Sequence, residues 1–309
     1  MEYALVPTRK FMPRFDRVEP KILDATAMNE YKDCPRRYFF KIVLGFTPKE
    51  TAVYFTFGTA YHKFREELEL NKGDFKGALL RALAYWDKEQ GDDPPVGSGK
   101  WEFMTRLRLM QSCKFGFDQY TKEKEQGFIE VLSVEQPFNV ELVPGSGEYT
   151  SGRFDQIIRR NGKVWGRDFK TTSKQLMYYE RGLTPNDQFT RYTFAESLLT
   201  GERVQGQLIE VLFNAKGTKA GTNSGPEIRT YIVSRTDFEL ADWLQNELFM
   251  RKTLQSSREA DVWPMNEKGC TFCQFHSVCK MGNEGAQANK LMSEFVVREW
   301  DNTKVGVDD

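Results

Sequence analysis

Asp155, Asp168 and Lys170 are residues whose types and spacing suggest chemistry. They stand in GRFDQIIRRNGKVWGRDFK, Gly152 to Lys170, on either side of Asn161-Gly162. Asn-Gly between two alternating apolar runs signals a hairpin with a two-residue type I′ loop, in which both residues take φ > 0. Arg160 then faces Lys163. Counting outward opposes Ile158 to Trp165, Ile157 to Gly166, Asp155 to Asp168 and Phe154 to Phe169. Side chains alternate along a strand, so Lys170 shares a face with Asp168, while Phe154, Ile158, Trp165 and Phe169 take the other face. Opposed carboxylates destabilise a sheet, and burial raises the pKa of one of them. A divalent cation with oxygen ligands resolves that repulsion, and an ammonium beside it holds a water or offsets charge. The plainer alternative is a solvated hairpin whose acids pair with Arg153 or Arg167.

Cysteine supplies the second signal. Of five cysteines, three crowd into CTFCQFHSVC as Cys270, Cys273 and Cys279. That is ligand spacing, whereas a disulfide framework does not suit a cytosolic chain of this size. The fourth ligand comes from Cys34, in KDCPRRYFF, or Cys113, in LMQSCKFGF. Cys113 falls among helical apolar positions, where a free thiol behaves as a small hydrophobe. Cys34 precedes Pro35 and is favoured, because Cys-Pro recurs in iron–sulfur ligation. Four thiolates also suit zinc, with His276 as a substitute ligand, and spacing leaves the metal open. His62 is one of two histidines. Glu135, in VEQPF, reads as an additional acid of the hairpin or as an exposed or structural charge, the second favoured, and Arg36 and Arg37 as phosphate contacts or a solvated helix face.

The elements that position these residues alternate in type. Thr26 caps a helix running to about Ile42, a second helix runs from about Thr59 to Leu70, and Asp74 to Lys124 is helical on either side of a loop at Gly91 to Gly99. Strands follow at Ile129 to Leu142, Gly152 to Ile158, Lys163 to Lys170, Gln205 to Asn214 and Glu227 to Ser234. Helices intervene at Asn186 to Leu199 and Asp237 to Leu254. The pattern is α/β, a mixed central sheet flanked by helices. The chain reads as a single domain over 1–309, with a helical insertion at 71–125, a cysteine region at 262–282 and a polar, partly disordered tail at 283–309. KGTKAGTNSG, Lys216 to Gly225, reads as a loop between strands. Neither it nor VGSGKW fits GxxxxGK[ST], so a nucleotide-driven motor is not expected.

Composition is that of an ordinary globular protein. The 309 residues are 39% hydrophobic and 14% aromatic, enough for a sizeable core. Lys plus Arg and Asp plus Glu are both 44, so no global field steers the chain to nucleic acid, and a polyanion must be gripped by local patches. No stretch approaches the roughly 18–20 apolar residues of a membrane span, and MEYALVPTRK lacks a signal peptide's apolar centre. A cytoplasmic location without membrane association is expected.

LDATAMNEYKDCPRRYFFKIVLGF, FGTAYHKFREEL, GRFDQIIRRNGKVWGRDFKT, QFTRYTFAESLL and CTFCQFHSVC together, from about Leu23 to Cys279, resemble the RecB-like branch of the PD-(D/E)XK nucleases. Members with this cysteine arrangement include the CRISPR-associated adaptation exonucleases and the nuclease domain of the AddB helicase–nuclease subunit. The resemblance implies a restriction-endonuclease-like core and a [4Fe–4S] cluster on Cys34, Cys270, Cys273 and Cys279 that staples the N- and C-terminal parts. It makes His62, Asp155 and Asp168, with the Phe169 carbonyl, the ligands of Mg²⁺ or Mn²⁺. Lys170 becomes the D-x-K lysine that orients or helps deprotonate water, and Gln188 and Tyr192 the Q-x-x-x-Y pair that meets substrate. The implied activity is hydrolysis of DNA phosphodiesters, as an exonuclease in phage recombination, repair or CRISPR adaptation. A helicase or recombination partner would supply unwinding. Two other classes compete: a DNA-binding accessory subunit of nuclease fold that does not cut, and a zinc-stapled interaction protein.

Overall fold

The computed structural model describes residues 10–18, 20, 22–95, 101–173, 176–214 and 226–298. Lys216 to Gly225 and most of VGSGKW lie outside them. Among the described residues no helix is long and apolar enough to cross a membrane.

The chain starts with a short strand β1 (Leu23–Asp24) and helix α1 (Ala25–Asp33). The cap is Asp24 rather than Thr26: its carboxylate accepts from Ala27 N–H at 2.7 Å. The helix expected to run through to Ile42 is interrupted. Cys34 is extended, with φ −163° and ψ 110°, because the ring of a following proline excludes the helical region for the residue before it. Helix α2 (Pro35–Tyr38) then restarts with Pro35 at its first turn and widens into a π turn over Phe39–Val43. Next come β2 (Phe46–Pro48), α3 (Val53–Leu70), α4 (Phe75–Glu89) and α5 (Arg106–Gln126), the last two helical as the sequence pattern predicts. Strands β3 (Ile129–Glu141), β4 (Tyr149–Arg160) and β5 (Lys163–Thr172) precede α6 (Leu176–Glu180), α7 (Asp187–Thr200), β6 (Gly206–Phe213), β7 (Glu227–Ser234) and α8 (Asp237–Ala260). The tail is not disordered throughout: after α9 (His276–Cys279) it forms α10 (Glu284–Glu294), and β8 (Phe295–Val297) pairs antiparallel with β2. Ala288 and Leu291 are buried, so α10 is held by an apolar face.

Contacts divide the chain into two compact units, residues 1–50, 139–152 and 241–309 in one and residues 51–138 and 153–240 in the other. The first has a core of aromatic and aliphatic residues from Met12 to Phe295, including Phe39, Phe40, Trp263 and Phe275. There β1 lies parallel to β4 at Thr150 and Ser151. The second is the α/β layer. Its sheet runs β3–β4–β5–β6–β7, with β4 and β5 antiparallel, β5 and β6 parallel, and β6 and β7 antiparallel. All eight residues of β6 are buried, as expected of a central strand covered on both faces. Helices α3, α4 and α5 pack their own core around Phe57, Phe64, Trp86 and Cys113.

Candidate active site

The turn fixes the hairpin. Asn161 and Gly162 have φ 50° and 73°, and the cross-strand pairs run from Arg160 with Lys163 to Gln156 with Arg167, the register counted from the sequence. One residue further the carboxylate replaces the ladder: Asp155 Oδ2 accepts from Phe169 N–H at 2.7 Å. The expected partnership of Phe154 with Phe169 is replaced by two separate packing groups. Phe154 stacks on Phe138 at 4.2 Å and meets Tyr192 edge-on at 5.3 Å, while Phe169 faces Arg65, Arg167 and the edge of His62. An acid that turns inward to cap a neighbouring peptide lets the two strands diverge where the site opens.

Four of the residues singled out converge there. His62 Nδ1 lies 3.4 Å from Asp155 Oδ2, and Lys170 Nζ lies 2.6 Å from Asp168 Oδ2. Asp168 is 1% exposed, and its Oδ1 has no hydrogen-bond partner. Burial pushes the Asp168 carboxyl up to about 6, with Asp155 adding to the rise and Lys170 opposing it. Asp155 is raised too, by burial, against the pull of Lys170 and the Phe169 N–H. Burial and the neighbouring ammonium lower His62 to about 4, which leaves a neutral imidazole at physiological pH. Burial alone would lower Lys170, but Asp168 and Asp155 outweigh it and hold the ammonium charged. Neither arginine offered as an alternative partner neutralises the pair: Arg167 binds Glu123 and Glu210, and Arg153 approaches Glu135 at 3.8 Å.

A buried carboxylate with an orphaned oxygen and a half-buried carboxylate, beside a neutral imidazole, form a donor set that suits a hard divalent cation. As the side chains stand, however, no group of three or more His, Cys, Asp or Glu among the described residues is arranged to hold a metal ion.

Three further acids join the site, and two of them, Glu66 and Glu196, the residue pattern did not select. Glu135, read from the sequence as exposed or structural, is half-buried at φ 47° and its carboxyl is pushed up to about 8 by burial and by repulsion from Asp155 and Glu66. Glu66 stands four residues after His62 on α3, and burial raises it as well. Glu196 is 1% exposed and raised well above its usual range, mainly by burial, with Asp168 and Asp155 adding to the rise. Its Oε2 accepts from Gln207 Nε2 at 2.6 Å. A spacing of four, from His62 to Glu66 and from Gln188 through Tyr192 to Glu196, is the signal that would have found two of them. Tyr192 packs edge-on against Phe138 and Phe154, next to Asp155, and half-buried Gln188 lies one turn before it on α7.

In the other unit Cys34, Cys270, Cys273 and Cys279 line one pocket, together with His276 and Arg37. Asn266 N–H donates to Cys34 Sγ at 3.4 Å. Burial raises Cys279 to about 11, with Arg36 opposing and the other three thiols adding to the rise. Arg36 spans Trp263 O, at 2.7 Å, and the Phe11 ring, and Arg37 pairs with Asp33 and Glu30, so both have structural partners. Cys113 is fully buried in the helical core of the α/β unit, as its apolar surroundings in sequence implied.

A mixed α/β sheet thus presents two acids and a lysine from one hairpin. The chain belongs to the PD-(D/E)XK nuclease superfamily, whose family model matches residues 23–280. It is similar to the crystal structure of a "Putative exonuclease" from Eubacterium rectale, at 13% identity and TM-score 0.47 over 80% of this chain and 86% of that one. It is also similar to the crystal structure of SSO0001, at 12% identity and TM-score 0.29 over 76% and 87%. No curated protein matches the chain.

Proposed function

We propose that the protein is a divalent-metal-dependent DNA nuclease of the RecB-like branch, acting as an exonuclease. The observation that carries this reading is buried Asp168, with an orphaned oxygen, and half-buried Asp155 beside a neutral His62 and a charged Lys170. Asp155, Asp168 and His62, with the Phe169 carbonyl by likeness to the family, would hold Mg²⁺ or Mn²⁺. Such a cation polarises a phosphoryl oxygen and lowers the pKa of bound water. Lys170, kept as an ammonium, donates rather than abstracts: Nζ orients the attacking water and offsets charge on the scissile phosphate. Gln188 and Tyr192 on α7 hold the strand beside Asp155. Cys34, Cys270, Cys273 and Cys279 would ligate a [4Fe–4S] cluster, supported by their sharing one pocket with Arg36 and Arg37 beside them to offset its charge.

The test is digestion of end-labelled linear DNA and of closed circular DNA with Mg²⁺, with Mn²⁺ and with EDTA. Loss of end-labelled product with either cation, intact circles and no reaction in EDTA are expected. Asp168→Ala should abolish cleavage and leave the thermal transition of the metal-free protein unchanged or raised, because one of two mutually repelling carboxylates is gone. Wild-type digestion by Asp168→Ala sinks the assignment.

A further inference from the structure

Phe169, the middle residue of Asp168-Phe169-Lys170, sends its ring to the face opposite the acids, and what holds it there is unusual. The ring is 2% exposed, with Arg65 Cζ 4.4 Å from its centroid and Arg167 Cζ at 4.9 Å. Both guanidiniums are buried, and both converge on Glu210, the residue beside Phe169 in the β5–β6 register. Arg65 Nη1 lies 2.8 Å from Glu210 Oε1 and donates to Gly116 O at 2.8 Å, and Arg167 Nη2 reaches Glu210 Oε2 at 2.5 Å and Glu123 Oε2 at 2.8 Å. Two cations and two carboxylates thus balance around one aromatic ring, a buried network in which each member is costly to leave unpaired. Phe169 N–H meanwhile donates to Asp155 Oδ2, and His62, one turn before Arg65 on α3, abuts the same ring edge-on at 6.5 Å. One residue therefore connects both acids and the imidazole to the arginine network.

We propose that Arg65 and Arg167 are positioning residues: by holding the Phe169 ring they set the place of the Asp168-Phe169-Lys170 segment and of the Asp155 and His62 groups that touch it. This deepens the nuclease reading, whose site it positions. Helix α5, which supplies Gly116 O and Glu123, becomes part of the site's support, giving the helical insertion a role besides its own packing.

Two readouts on the full chain test this, one of which does not depend on the nuclease reading. With only His62 and His276 in the sequence, histidine ring signals are readily assigned by NMR in the metal-free protein. Arg65→Lys keeps a charge for Glu210 but removes the planar group over the ring. It should move or broaden the His62 signal through the shifted Phe169 ring current, leave His276 unchanged, and weaken Mn²⁺ binding by about tenfold, the usual scale for outer-shell support of a metal site. Phe169→Leu should do the same and Phe169→Tyr should not, and these two carry the test if Arg65→Lys has no cooperative melting transition. A His62 signal and Mn²⁺ affinity both unchanged in Arg65→Lys and Phe169→Leu overturn the proposal. Absence of Mn²⁺ binding to the wild type, with His62 still shifted in Arg65→Lys, overturns the nuclease reading and leaves the positioning role standing.

Discussion

Lys170 is the residue whose role the geometry narrows most. Its Nζ lies on Asp168 Oδ2, and the two acids hold it charged against burial, so its ammonium is a donor in the metal-free protein. Lys170→Met should lower turnover by about 100-fold, the scale of one deleted electrostatic contributor, while Mn²⁺ affinity stays equal or rises because a competing cation has gone. Single-turnover cleavage and Mn²⁺ titration check the pair of outcomes, and a parallel fall in affinity would mean that Lys170 holds the site together instead. Glu135 gives a pH test. A carboxyl raised by folding holds its proton longer in the folded than in the unfolded chain, so its contribution to stability falls as pH climbs from the ordinary carboxylate range through its folded pKa. For Glu135 that range ends near its folded value of about 8, above His62 at about 4 and Asp168 at about 6. Melting temperature of the metal-free protein should therefore drop more steeply between pH ~6.5 and ~8 in the wild type than in Glu135→Gln. Equal slopes would remove Glu135 from the acidic group.

Among the elements, β5 is the one most tightly specified. Arg167 and Phe169 face α3 and α5, Gly166 and Asp168 face α7, and the strand can carry both sets only because Gly166 has no side chain. A Cβ there would run into both amide atoms of the Gln207 side chain and Glu196 Oε1, all fully buried. Gly166→Ala should cost about 1–3 kcal/mol, the usual range for forcing a methyl into a packed site. Denaturant unfolding measures this, and Gly166→Ala combined with Gln207→Ala should recover part of the loss. No loss at all would show that the Glu196 and Gln207 pair yields easily and does not brace the strand behind Asp168.

For the whole molecule, the decisive separation is between the unit that carries the cysteine pocket and the unit that carries the acids. Cys34 and Cys279 are far apart in sequence, and the proposed cluster, if it joins them, would close a long loop whose entropy in the unfolded state is otherwise large. Cys34→Ser should bleach the visible charge-transfer absorbance, lower iron content and destabilise the protein, because ligation in such sites is folding free energy. Cys113→Ser should do neither, since Cys113 packs with Phe57 and Trp86 in the other unit. Folded Cys34→Ser should keep metal-dependent chemistry at reduced yield. Iron retained in Cys34→Ser and lost in Cys113→Ser would reverse the ligand assignment, and zinc in both would replace the cluster.

Much of this protein was legible in its sequence where local geometry governs. Asn161-Gly162 sets a turn, the turn sets a register, and the register brings the acid-bearing strands together, so the hairpin that carries Asp155, Asp168 and Lys170 was legible without tertiary information. Pro35 likewise marks a boundary locally, although the break at Cys34 was passed over in favour of one long helix. The Cys270, Cys273 and Cys279 spacing is equally local, and the burial of Cys113 follows from its apolar neighbours. What only the tertiary structure decided is which charges lose water and to whom. Glu135 becomes part of the acidic group because Asp155 and Glu66 lie close and burial stops water from screening them. Arg65, Glu210 and Arg167 meet around Phe169 from a helix and two strands widely spaced in sequence, and no period or motif records such a meeting. Desolvation and charge pairing depend on distance in space, which the sequence determines only through the whole fold.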